Sequence, residues 1–232
     1  NRNRHRLGRH AGRSSRRVKL LVLNPNTTAA MTDKVVAEVQ RLAGSGVTVR
    51  GVTARFGHEV IASRQSFVVG AHAALELGLT EATGADAVLL ACFGDPGLGA
   101  LREALTVPVV GMAQAALQQA MALGRPFHII TAGAAWEAML RETVRLEQAD
   151  ALFHGITVLP TTGLAVARDP EAFIALIQNA LTSLEVQGAP TVILGGAGFA
   201  GLKSRLRYAG ELVDGLEAAV RWLTENPPFM KT

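Results

Sequence analysis

Two stretches of this chain read alike at a separation of 104 residues, and a duplicated α/β unit is the simplest architecture that such a repeat admits. Residues 88–115 and 192–219 share Val88/Val192, Leu90/Leu194, Gly94/Gly198, Gly97/Gly201, Leu98/Leu202, Val109/Val213, Gly111/Gly215 and Ala115/Ala219. In each copy a short apolar run ends in a glycine turn and leads on to a helical pattern. Less closely, Leu21-Val22-Leu23-Asn24-Pro25-Asn26 matches His128-Ile129-Ile130-Thr131-Ala132-Gly133.

Apolar runs near 19–23, 47–52, 87–91, 107–110, 128–131, 156–159 and 191–194, with a short one near 211–213, predict strands. Between them, helical patterns fall near 28–42, 67–83, 98–105, 112–123, 134–147, 170–185 and 215–224. Strands that lack polar alternation and are separated by helices predict mainly parallel sheets covered on both faces. The expected fold class is α/β, with two pseudo-twofold-related Rossmann-like lobes. Residues 18–111 plus about 212–232 would form the first lobe and 112–211 the second. Ligand would bind in the cleft between them, where strand C-terminal ends meet helix N-termini.

The chain has 232 residues and an excess of four positive charges. Seven arginines and no acids fall in residues 1–17, which leaves 16 basic against 19 acidic residues in the body. The basicity therefore belongs to a tail without hydrophobic period, expected to be disordered, and the body offers no basic surface for nucleic acid. Arg16-Arg17 precedes an apolar stretch of only Leu20 to Leu23, whereas an export signal needs about 7 to 15 apolar residues. No run approaches a membrane span, and a single cysteine allows no internal disulfide. A cytoplasmic protein without membrane contact is the expectation.

That cysteine, Cys92, closes the run 87–91 and opens the turn Phe93-Gly94-Asp95-Pro96-Gly97. A thiol there becomes a competent base when a helix N-terminus or an amide cluster stabilises its thiolate. Asp95-Pro96 reads as the N-cap and first position of the next helix. Amides around Phe93 and Gly94, with those of Ala197 and Gly198 from the second copy, would form an anion nest for a carboxylate or enolate. Asn24, Asn26 and Thr27 cluster at the end of the first strand, more polar groups than a helix cap needs, and are expected to include a substrate contact. Thr131 is the matching position in the second copy. The six histidines show no metal spacing. Gly196-Ala197-Gly198-Phe199-Ala200-Gly201 spells a dinucleotide fingerprint, but the 31 residues beyond it do not complete a nucleotide domain.

The motifs Leu23-Asn24-Pro25-Asn26-Thr27-Thr28, Ala91-Cys92-Phe93-Gly94-Asp95-Pro96-Gly97-Leu98, Val109-Val110-Gly111 and Leu194-Gly195-Gly196-Ala197-Gly198 resemble the aspartate/glutamate/hydantoin racemase superfamily, most closely its hydantoin and allantoin racemase branch. The resemblance runs from about 18 to 223. It implies an isomerase without cofactor or metal, acting on a small hydantoin, ureide or amino-acid-like carboxylate, and forming homo-oligomers. It further implies a cysteine from each repeat on either face of the substrate carbon. Cys92 matches the first cysteine, whereas Gly196 stands at the second position.

Three functions follow from that departure. One is a racemase that draws its second proton from water or from the substrate. Another is a single-cysteine decarboxylase of the arylmalonate type, and the last is an inactive binder of a small metabolite. A glycine introduced in place of an original cysteine reads the same in sequence.

Overall fold

In the computed structural model, which describes residues 17–161 and 169–225, apolar strands and helices alternate as the repeat predicts. The first half contains β1 (Val18–Asn24), α1 (Ala29–Ala43), β2 (Val47–Thr53), α2 (Arg64–Glu81), β3 (Ala87–Leu90), α3 (Leu98–Ala104), β4 (Val109–Gly111) and α4 (Met112–Ala122). The second contains β5 (Phe127–Ala132), α5 (Trp136–Leu146), β6 (Phe153–Leu159), α6 (Pro170–Val186), β7 (Thr191–Gly195), β8 (Leu212–Asp214) and α7 (Gly215–Glu225). The arginine-rich tail up to residue 16, residues 162–168 and the end of the expected first lobe, 226–232, lie outside the described residues.

Two parallel four-stranded sheets result, ordered β2-β1-β3-β4 and β6-β5-β7-β8. Their registers repeat. Leu23 lies opposite Leu90 in the first sheet, and Ile130 lies opposite Leu194 in the second. Likewise Leu90 pairs with Gly111, and Leu194 with Asp214. Asn24 is thus the structural counterpart of Thr131, and Cys92, two residues beyond Leu90, is the counterpart of Gly196, two beyond Leu194.

Strand side chains alternate between two cores. Leu20, Val22, Leu89, Ile129 and Ile193 join one cluster shared by both lobes. Leu21, Leu23, Val88 and Leu90 turn outward under α2 and α3, while Ile130, Val192 and Leu194 pack beneath α6. This period of two, with both faces buried, explains why the strands read as continuous apolar runs.

The expected lobe boundary near 212 is corrected. Strand β8 pairs in parallel with β7, so 212–214 complete the second sheet rather than the first. The helices that follow the two last strands, α4 and α7, pack on each other between the sheets. Their buried faces, Ala113, Ala115, Ala116 and Ala120 on one and Gly215, Ala218 and Ala219 on the other, are small enough for close approach. Phe93 enters the same interface, its ring filling the space where side chains on Gly195 and Gly215 would lie, at 3.0 to 3.3 Å. From the other side, Trp136 covers Gly94 and donates Nε1 to the Ile61 carbonyl at 3.1 Å. Gly94, at φ 126°, has a conformation and a neighbour that exclude a side chain.

Candidate active site

The turn after β1 is built by its own amides. Asn24, 1% exposed, accepts the Asn26 backbone N–H on Oδ1 at 3.1 Å. Its Nδ2 lies 2.9 Å from Thr32 Oγ1, 3.0 Å from Asn26 Oδ1 and 3.2 Å from the Thr28 carbonyl. Thr32 in turn shares a 2.6 Å bond with Thr53 on β2. With its amide so engaged, Asn24 shapes the loop. Asn26 differs. Its Oδ1 accepts Thr28 N at 2.9 Å, but no acceptor among the described residues lies within reach of its own Nδ2. Thr27 is half-buried, held by its backbone N–H to the His58 carbonyl at 3.0 Å. Asn26 and Thr27 are therefore the members of the motif with side-chain capacity to spare.

Cys92 lies just past β3 and is 8% exposed. Burial pushes its thiol well above the ordinary range, and the Asp95 carboxyl pushes it further the same way. Asp95 at φ 55° and Gly97 at φ 80° turn the chain between Cys92 and the start of α3 at Leu98. The buried setting favours the neutral thiol and gives no support to a thiolate.

Asp95 does not cap its own helix either. Its carboxylate accepts Ala113 N at 3.0 Å and Gln114 N at 2.8 Å, capping α4 across the fold. The carboxyl fills the place of a side chain on Gly111. In the second lobe the counterpart of Gly111 is Asp214, which caps α7 itself by accepting Leu216 N and Glu217 N at 2.8 and 3.1 Å. Each lobe thus caps its own last helix, α4 or α7, with one carboxylate that arrives by a different route.

Burial raises Asp95 to about 7 and Asp214 to about 6, against the pull of those amides. A carboxyl raised on folding takes up a proton. Its contribution to stability is complete below its unfolded value near 4 and is lost as pH climbs through the folded value. Asp95→Ala, which orphans two helix N–H groups, is expected to cost about 1–2 kcal/mol. In urea unfolding the gap from wild type should be wider at pH 5 than at pH 8; a gap that widens towards pH 8 would contradict this assignment.

In the second lobe Thr131, 2% exposed, donates Oγ1 to the Gly195 carbonyl at 2.8 Å. It fixes the strand end that carries Gly196. Gly196 has φ 163° and ψ 147°, extended backbone open to any residue. Among the described residues a side chain there would meet only the Phe199 ring, at 3.1 Å. No acceptor among the described residues lies within reach of the backbone N–H groups of Phe93, Gly94, Ala197 and Gly198. Lys34, which the sequence reading passed over, reaches from α1 to the Gly198 carbonyl at 3.0 Å and joins the two lobes near this turn. A lysine on an exposed helix face carries no sequence signal for that contact. Among the described residues no group of three or more His, Cys, Asp or Glu is placed to hold a metal.

Comparison with known proteins matches residues 20–223 to the family model described as Asp/Glu/Hydantoin racemase. A hydantoin racemase of Pseudomonas sp. (strain NS671) is 31% identical over 209 residues, covering 88% of this chain and 84% of that one. A hydantoin racemase of Paenarthrobacter aurescens is 31% identical over 210 residues, 88% and 89% of the two chains. The crystal structure of an allantoin racemase from Pseudomonas fluorescens superposes with a TM-score of 0.84 at 27% identity, covering 90% of each chain.

Proposed function

This chain belongs to the Asp/Glu/hydantoin racemase family, and from that premise we propose that it is a racemase of small cyclic ureides, hydantoins or allantoin, working through one sulfur. The observation that carries the reading is the repeated register, which sets Cys92 and Gly196 at equivalent strand ends. A stereocentre beside a carbonyl loses its proton to the minor thiolate form of Cys92, which becomes the thiol, and the charge moves to the carbonyl oxygen as an enolate. The free amides of Phe93 and Gly94, with those of Ala197 and Gly198, are the donors suited to that oxygen. Asn26 Nδ2 and Thr27 are suited to the ureide. On the face next to Gly196 no thiol stands, and water there gives up a proton to the carbon. The hydroxide left behind then takes the proton from Cys92, closing the cycle.

The test is optical. Single enantiomers of a 5-alkyl hydantoin and of allantoin, and a prochiral aryl malonate, are incubated with the protein. Loss of rotation in a hydantoin or allantoin without change of mass supports racemisation. Release of carbon dioxide from the malonate would replace it with the decarboxylase reading, and inertness towards all three would leave a binder.

A further inference from the structure

The residue after the thiol packs across the lobes. Phe93 is 4% exposed, and opposite edges of its ring face Gly195 and Gly215, 3.0 Å and 3.2 to 3.3 Å from where side chains on those glycines would begin. Gly195 directly precedes Gly196 and Phe93 directly follows Cys92, so one flat ring bridges the two strand ends that the repeated register makes equivalent. The next two residues are also held from outside β3. Gly94 lies beneath Trp136 of α5, and the Asp95 carboxylate accepts Ala113 N and Gln114 N of α4. Contacts of its neighbours, and not β3 alone, therefore locate Cys92 relative to the second lobe. Gly215 shows what the ring demands. A side chain there would meet Phe93 first and the Met112 carbonyl only at 3.4 Å, so this glycine leaves room for the ring.

We propose that Phe93 is a positioning residue for proton transfer: its ring is the spacer that sets the separation of the Cys92 and Gly196 strand ends, and with it the placement of the substrate carbon between them. The inference rests on the reading of Cys92 as the proton-transferring sulfur and of residue 196 as the opposite face. A phenyl ring suits the task because it is rigid along its length, whereas an aliphatic chain changes shape with each rotamer. Close-packed interiors pass a change in the size of such a spacer on to the elements around it. Reacting atoms must meet within about 3 to 3.5 Å, and a misplacement of about 1 Å costs on the order of 10² in rate. A smaller side chain at 93 therefore acts on the chemical step, while Asn26 and Thr27, which belong to the first lobe alone, remain available to the ureide.

An exchange of size between positions 93 and 215 tests this on the full chain. Phe93→Leu keeps the backbone N–H assigned to the enolate but empties part of the socket, and should lower kcat for a 5-alkyl hydantoin or allantoin about 10- to 100-fold, with KM within about threefold of wild type. Gly215→Ala crowds the ring instead and should lower kcat about 10-fold; it carries the test if the leucine variant fails to fold. In Phe93→Leu/Gly215→Ala the added methyl takes back the emptied space, and kcat should return to within about threefold of wild type, whereas a purely structural role predicts additive losses. Spin labels on Leu79→Cys and Val186→Cys, at positions 59% and 87% exposed on separate lobes, read the gap without turnover, since the native cysteine is buried. Each single substitution should shift or broaden the interlobe distance, and the double should restore it. Additive losses in kcat, a loss carried by KM, or interlobe distances that no substitution alters would each overturn the proposal. A wild type inert towards ureides would remove the racemase reading, and the distances would still decide whether Phe93 sets the gap.

Discussion

Cys92→Ala is expected to lower racemisation by at least 10³-fold while leaving the fold intact. General acid–base groups contribute about 10² to 10⁴ in rate, and here one sulfur is asked both to remove the proton and to hold it. Folding should tolerate the change, because the sulfur makes no hydrogen bond and sits at the edge of the shared core rather than within a strand. Cys92→Ser should be nearly as impaired, since an alcohol in a site that already disfavours a buried anion ionises far less readily than a thiol. The elevated thiol also sets a pH signature. Burial and the Asp95 carboxyl keep the sulfur protonated through the neutral range, so the reactive thiolate is a minor form that grows tenfold per pH unit. A plot of log kcat/KM should therefore rise with a slope near one from pH 6 to 9. A plateau beginning near pH 7, or full activity in Cys92→Ala, would remove the sulfur from the reaction.

The second large effect runs in the opposite direction. Gly196→Cys is expected to raise the rate of racemisation by about 10² to 10³, because it supplies an acid on the substrate face that water alone now serves. The structure permits the side chain. The backbone at 196 is extended, and the only near contact among the described residues is the Phe199 ring at 3.1 Å, which must yield by a few tenths of an ångström. Thr131 continues to hold the strand end through the Gly195 carbonyl. The gain should appear mainly in kcat, since the new thiol acts in proton transfer rather than in binding. If the variant folds like wild type and racemises no faster, residues 92 and 196 do not address one carbon. Combining it with Cys92→Ala should then be informative, because a two-sided mechanism predicts that either thiol alone supports only slow inversion.

The strands and helices were legible because the central strands are buried on both faces and helices alternate with the strands along the chain. All eight expected strands form, although β6 begins at Phe153, three residues before the apolar run that marked it. Side-chain roles were harder to read where one residue type serves two purposes. Aspartate before proline spells the cap of the following helix, yet the Asp95 carboxyl reaches α4, 18 residues on, through a turn that only the folded chain closes. Three polar residues after β1 looked like more than a cap requires, but Asn24 spends its amide on the turn and on Thr32, leaving Asn26 and Thr27. The lobe boundary was misplaced because β8 has three residues and no pattern of its own, and its partner is chosen by the register of β7. Trp136 packs across the lobes against Gly94, a contact that no motif in the sequence marks.

Isotope exchange on a single enantiomer separates one-sided from two-sided proton transfer most directly. In heavy water, a one-sulfur enzyme that works from one face should place deuterium at the stereocentre of one enantiomer faster than it inverts that centre, and Cys92→Ala should abolish the exchange. Inversion that keeps pace with deuterium uptake from both enantiomers, or exchange that survives the loss of Cys92, would contradict the account.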